Sequence, residues 1–151
     1  MSLIKPYRNG FQKGFNSYPT TNEKTGMEFD ILIADKNEEH EFGEKEKEMA
    51  IVVIDGVGEI FFDNLVISFN RSNWIDIDPT VIHLSPGEQV KIKSTAQCRF
   101  AVIKTRNDLS FKGKVYQPSD IDTEHRGKDQ LDDTCYRLVR LAFDDTISSK
   151  D

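Results

Sequence analysis

Positive charge is in short supply. The chain has 20 Lys and Arg against 26 Asp and Glu, a formal net charge of −6. A general nucleic-acid binder needs the opposite balance to displace counterions from phosphates, so that class is excluded. Long apolar runs are missing too. The longest, residues 49–54, is far too short to span a bilayer, and residues 1–6 carry no apolar stretch like that of a signal peptide. The chain is therefore expected to be cytoplasmic, with neither membrane nor nucleic acid as partner. Cysteine is scarce: Cys98 and Cys135 form no CxxC or zinc-ribbon spacing and read as reduced, buried structural thiols. Neither has a nearby basic motif that would make it reactive. The three histidines, His40, His83 and His125, are widely separated. A metal centre would have to be assembled by the fold. No internal repeat and no long helical stripe is present.

What is present is a series of short β-rich runs. In a 151-residue chain with 37% hydrophobic and 30% charged residues, they suffice for one globular core. Residues 1–26 are rich in Gly, Asn, Thr, Ser and Tyr and read as an arm anchored by Phe11, Phe15 and Tyr18. From Met27 the period becomes two, with Met27, Phe29, Ile31 and Ile33 on one face. Residues 49–54 form a buried, β-branched strand, and Asp55-Gly56 leads into a second run at residues 57–62. An Asp-Gly pair between such runs predicts a type I′ hairpin. Further runs follow at residues 65–69, 74–77, 81–84, 89–94 and 98–104, with turn residues between them. Residues 136–143 read as a last strand, with Val139, Leu141 and Phe143 on one face, before a loose tail. This spacing predicts an all-β sandwich or small barrel over residues 27–106, preceded by the arm and followed by a polar, linker-like segment over 107–151.

Several segments resemble a known family. The stretch from Glu48 to Gly56 looks like the first cupin signature. The stretch from Asp78 through Pro79 and His83 to Gly87 looks like the second, a Pro-led turn into a strand carrying His. Phe69-Asn-Arg-Ser-Asn-Trp74, Pro86-Gly87-Glu88, Tyr116-Gln-Pro-Ser-Asp-Ile121, Glu124-His-Arg-Gly-Lys128 and Tyr136-Arg-Leu-Val139 narrow the match. In order and spacing, residues 25–145 resemble the N-terminal half of the 5-deoxy-glucuronate isomerase family. That family serves myo-inositol catabolism and is related to 4-deoxy-L-threo-5-hexosulose-uronate ketol-isomerase. The resemblance implies a single cupin-type jelly-roll barrel with an N-terminal arm and a C-terminal strand extension. It also implies an aldose–ketose isomerase whose divalent metal sits on a second cupin half, which would begin where this chain stops. The corresponding loop here, Glu39-His40-Glu41-Phe42-Gly43, has no His-x-His, so no metal or other cofactor is expected on this half.

The residues leave several readings open. His40, Glu48 and His83, brought to one barrel mouth, would offer two imidazoles and a carboxylate to a metal or a substrate. The plainer alternative makes His40 a solvated loop residue, His83 a strand residue and Glu48 the end of a charged run. Arg99 inside a barrel would grip a sugar-acid carboxylate through two parallel bonds; outside, it is a surface charge. Alternation sets Arg99 opposite Cys98 and Phe100. The substrate-binding candidates are therefore His40, Glu48, His83 and Arg99, for a small sugar-acid ligand. The segment around Gly127 reads as a structural turn. One of the adjacent Phe61 and Phe62 should face outward, which together with residues 136–143 suggests a homodimer. Two functions fit: a uronate isomerase, or a non-catalytic cupin module that binds a small sugar acid or pairs subunits.

Overall fold

The computed structural model describes residues 7–18 and 25–144. Among them, eleven strands follow one another. They are β1 (Gly14–Ser17), β2 (Met27–Ala34), β3 (Glu39–Phe42), β4 (Lys47–Phe62), β5 (Leu65–Arg71), β6 (Val81–Leu84), β7 (Val90–Ser94), β8 (Cys98–Arg106), β9 (Lys114–Tyr116), β10 (Asp122–Arg126) and β11 (Arg137–Leu141). One face of the barrel is the order β1-β2-β8-β4-β6-β9. The other is β3-β7-β4-β5, so β4 belongs to both. All these pairings are antiparallel. The expected all-β jelly roll is present, open along one side where the edge strands β5 and β9 do not pair.

The long strand β4 corrects the reading of Asp55-Gly56. No hairpin forms there. Lys47 to Asp55 pairs with β8 and Gly56 to Phe62 pairs with β5, with a bulge between Val53 and Asp55. Gly56 takes φ +116°, which lets the chain bend across the corner from one sheet to the other. Met49, Ile51 and Val53 are buried before the bulge and Gly58 and Ile60 after it, so the inward parity changes from odd to even. The type I′ turn lies one run later. Asp63 and Asn64 have φ 49° and 61° and join β4 to β5, with Phe62 opposite Leu65.

The barrel interior is packed solid. Leu32, Ile51, Ile60, Ile82, Ile92 and Phe100 are at most 1% exposed and belong to one apolar cluster that fills the space between the sheets. Full burial of a side chain of this size contributes about 1.5–3 kcal/mol. Phe62, Ile67 and Val115 close its open side. In β2 the inward residues are Leu32 and Ala34. Phe29 and Ile31 face the other way and are covered by the arm, whose β1 pairs with β2 and whose Tyr18 ring lies 5.3 Å from that of Phe29. Of the adjacent pair, Phe62 packs on the core and Phe61 lies under Lys91, whose Nζ is 4.8 Å from the ring centroid. Cys98 is buried; Cys135 is exposed, against the expectation of two buried thiols.

Residues 74–77 were expected to be a strand and form a turn instead, capped by the Asn73 side-chain oxygen Oδ1 accepting from the Ile75 N–H at 2.9 Å. After β8 the chain returns over the outer face of the first sheet. Val81 and Tyr116 are nearly fully buried there and Ile121 is 9% exposed, with Val52, Ala142 and Phe143 packed around them. β10 and β11 then form a separate two-stranded ribbon. Its face differs from the sequence reading: Val139 and Leu141 are exposed, while Phe143 is tucked against the barrel. The chain has left the strand before Phe143, so the alternation no longer applies. Gly127, at φ 72°, makes the expected structural turn, and Arg126 pairs with Glu124 at 2.6 Å. Of the tail expected over Asp144–Asp151, all but Asp144 lies outside the described residues.

The ribbon is tied to the barrel by Arg140, which bonds Asp78 and the Ile75 carbonyl. Burial pushes the Asp78 carboxyl up, but the bonds from Arg140 and Thr123 outweigh it and hold the group below the usual carboxylate range. A carboxyl depressed by folding stabilises above its unfolded value, about 3.9, and loses that contribution as pH falls through its folded value. Acidification from about pH 7 to about pH 3 is therefore expected to free β11 before the barrel melts. Amide NMR signals of Arg137–Leu141 moving to unfolded positions ahead of those of β8 would show it; simultaneous loss of both sets would contradict it.

Candidate functional site

Two of the four sequence candidates come together. His83 Nε2 lies 2.7 Å from Glu48 Oε1, and the Asn107 amide donates to Glu48 Oε2 at 2.7 Å. The strand register explains the meeting: Met49 is opposite Leu84 and Ala50 opposite His83, so Glu48 emerges beside the imidazole. The pair does not face the barrel interior. Ile82 and Leu84 point inward, and His83 shares the outer face with Val81. Phe143 stacks on the His83 ring at 4.0 Å and Phe111 lies at 4.5 Å from it. His83 is 5% exposed, and both carboxylate oxygens of Glu48 are already accepting. This is a closed polar pair that anchors the returning chain.

His40 is elsewhere. It sits on β3 opposite Ile92, with Phe15 and Phe42 near its ring at 6.2 and 6.5 Å. Its Nε2 is 3.5 Å from Glu38 Oε2, too long for a good hydrogen bond, and makes no other. The three-residue mouth of His40, Glu48 and His83 is therefore not formed, because the two histidines belong to opposite sheets and opposite faces.

Arg99 follows its alternation and faces away from Phe100 and Cys98. Its Nε donates to Asp55 Oδ1 and Oδ2 at 2.9 and 2.8 Å, and its Nη2 also reaches Asp55. The bulge produces this pair, since without the extra residue Asp55 would keep the inward parity of Val53. Asp55 beside it raises the Arg99 guanidinium above its ordinary range. The pair lies in an open cleft of about 590 Å³ at the corner where β4 changes sheets, lined also by Phe11, Ile33, Arg71 and Gln97. Arg71 is 7% exposed and its three guanidinium nitrogens donate to the carbonyls of Ile77, Val53 and Trp74 at 2.8, 2.7 and 2.9 Å. Burial, and then the nearby charge of Arg140, lower its pKa against the pull of Asp78 and Asp55. A second cleft, of about 570 Å³, opens along the seam between β5 and β9 over Phe62, Ile67 and Val115.

Asp55, Arg71, Gln97 and Phe11 were not among the sequence candidates. Asp55 was hidden by its Asp-Gly signature, and Arg71 by a position at a strand end that only the later loop completes. Among the described residues, no three His, Cys, Asp or Glu side chains are grouped to hold a metal ion. Most inward positions, where a cupin metal would need donors, carry aliphatic and aromatic groups, and the polar ones, Asp30, His40, Ser94 and Lys104, do not gather into a ligand set. The residues present do not fit the metal that the resemblance implies for its relatives.

The model of the KduI/IolB family matches residues 3–150. The chain belongs to the KduI/IolB family. Solved structures agree on the fold. An IolB-like protein from Salmonella typhimurium LT2 is 18% identical with a TM-score of 0.74, covering 90% of this chain and 52% of its own. The Ylba protein from Escherichia coli is 11% identical with a TM-score of 0.60, covering 76% of this chain and 52% of its own. A cupin protein from Bacteroides fragilis is 16% identical with a TM-score of 0.51, covering 68% and 85%. No curated protein matches the chain. This KduI/IolB-family chain thus spans about half the length of the IolB-like structure it matches. Its fold is the cupin jelly roll. No helix among its described residues is long and apolar enough to cross a membrane.

Proposed function

We propose that this protein is a 5-deoxy-glucuronate isomerase-like member of the KduI/IolB family, a cytoplasmic protein acting on the uronate-type sugars of myo-inositol catabolism. The family match over residues 3–150 carries this reading. Aldose–ketose isomerisation moves a proton between neighbouring carbons and needs a base beside a group that polarises the carbonyl. In the accessible part of this chain, Asp55 beside Arg99 offers that combination, whereas Glu48 and His83 are occupied with each other.

One observation favours a second reading. The interior that would hold a cupin's reacting groups is filled by apolar side chains. On that reading the chain is a non-catalytic module that binds a sugar acid or pairs with a second copy, for which the exposed Val139 and Leu141 of β11 offer an apolar strip. Purified protein incubated with 5-deoxy-glucuronate, with and without Mn²⁺, Fe²⁺ or Zn²⁺, separates the two. Turnover is the expected result of the first reading. Binding of the sugar acid without turnover selects the second, and neither binding nor turnover contradicts the sugar-acid assignment.

A further inference from the structure

We propose that the corner cleft formed by Arg71, Arg99, Asp55, Gln97 and Phe11 is a recognition site for the carboxylate of a small polyhydroxylated acid. The choice of a sugar acid rests on the function proposed above; the preference for a carboxylate rests on the cleft alone.

The charge balance comes first. Two guanidinium groups and one carboxylate line the cleft, leaving one positive charge in excess. Arg71 is the less well matched one, since the carboxylates near it, Asp55 and Asp78, are bonded to Arg99 and Arg140. Its three nitrogens donate to backbone carbonyls, and no carboxylate pairs with it among the described residues. A cation desolvated in this way is costly, and a bound anion offsets that cost. Arg71 is also fixed in place, so little side-chain entropy remains to be lost when a ligand arrives. Arg99 adds a partly committed donor group. Asp55 takes its Nε and Nη2, which leaves Nη1 for a ligand oxygen.

The remaining walls suit a hydroxylated carbon skeleton. Asp55 accepts from hydroxyls. Gln97 turns its amide nitrogen to Asp35 at 3.3 Å, which leaves its carbonyl oxygen as a further acceptor. Phe11, 39% exposed, supplies an apolar wall for the carbon face of a sugar. The volume of about 590 Å³ is in the range of small-molecule sites, about 300–1,000 Å³. The seam cleft has an apolar floor of Phe62, Ile67 and Val115, with Asp63, Lys112, Lys114 and Gln117 also lining it; its cations are lysine ammoniums, which lack the planar fork that grips a carboxylate through two parallel bonds. The bulge that disrupts β4 thus has a use: it turns Asp55 out of the core and into the ligand wall.

The test is an amide NMR titration of the full chain with D-glucuronate, D-glucose and L-lactate. D-glucuronate is expected to shift the amides of Phe11, Gly56 and Arg99, and D-glucose at equal concentration is expected to leave them unmoved. Arg99→Ala should weaken glucuronate binding at least tenfold while the rest of the spectrum is kept. Should that variant not fold, Arg99→Lys, which keeps the charge beside Asp55 but loses the fork, should weaken it several-fold. Shifts that map elsewhere, or that survive the Arg99 variants, overturn the cleft and leave the sugar-acid reading standing. A response at these amides to lactate but not to glucuronate supports the carboxylate site and removes the sugar-acid reading. Silence with both acids overturns the cleft.

Discussion

Gly56→Ala is expected to lower the thermal midpoint by about 10 °C, two backbone and packing faults of about 1–3 kcal/mol each acting at one position. The first is conformational. Gly56 holds φ +116°, which L side chains rarely adopt. The second is steric. A Cβ there would sit 2.5 Å from Cys98 Sγ, 2.7 Å from Cys98 Cα and 2.8 Å from the Gln97 carbonyl oxygen. Two of these atoms are backbone, so no rotamer change relieves the clash. Gly87→Ala is the control. Gly87 also has positive φ, 88°, but nothing within 4 Å of its would-be Cβ, so it should show only the conformational part. Thermal melts followed by circular dichroism decide it. Equal midpoints for the two variants would mean that β4 does not cross between sheets at this corner.

Arg71→Met is expected to cost about 3 kcal/mol or more, mostly by orphaning carbonyls that the guanidinium satisfies. The carbonyls of Val53, Trp74 and Ile77 all accept from this one side chain. Trp74 and Ile77 belong to the loop between β5 and β6, which otherwise is held by its own turn, by Arg140 and Thr123 bonding near its end, and by the Val53 N–H donating to the Thr80 carbonyl. Methionine fills similar space but donates nothing. The loop over residues 72–80 should therefore lose amide protection while the barrel strands keep most of theirs. Hydrogen exchange measures that difference directly, and a denaturant midpoint gives the magnitude. Protection in the loop equal to that of the native chain would show that the guanidinium is not its anchor.

Much of the barrel is written in the sequence as alternation. Val90 and Ile92 in β7, and Cys98, Phe100 and Val102 in β8, face inward as a two-residue period requires. The same period set Arg99 outward. It does not reveal a place where the period itself is reset. Asp55-Gly56 satisfies the chemistry of a hairpin and of a bulge equally, since both use a glycine with positive φ. The distinguishing sign is the parity of the flanking apolar residues: Met49, Ile51 and Val53 are odd, Ile60 and Phe62 even. Nor does local pattern say which sheet a strand joins. His40 and His83 both lie on strands, and only the pairing of β3 with β7 and of β6 with β4 separates them. The covers of His83, Phe111 and Phe143, lie 28 and 60 residues along the chain, beyond the reach of any periodic argument.

The central claim is that this KduI/IolB-family barrel is filled within and takes its ligand at the corner where β4 crosses from one sheet to the other. A crystal structure of the protein grown with D-glucuronate tests it most directly. The account predicts the sugar carboxylate between Arg71 and Arg99, with Leu32, Ile60 and Phe100 undisturbed. A sugar lodged between the two sheets, with those side chains displaced, would contradict it.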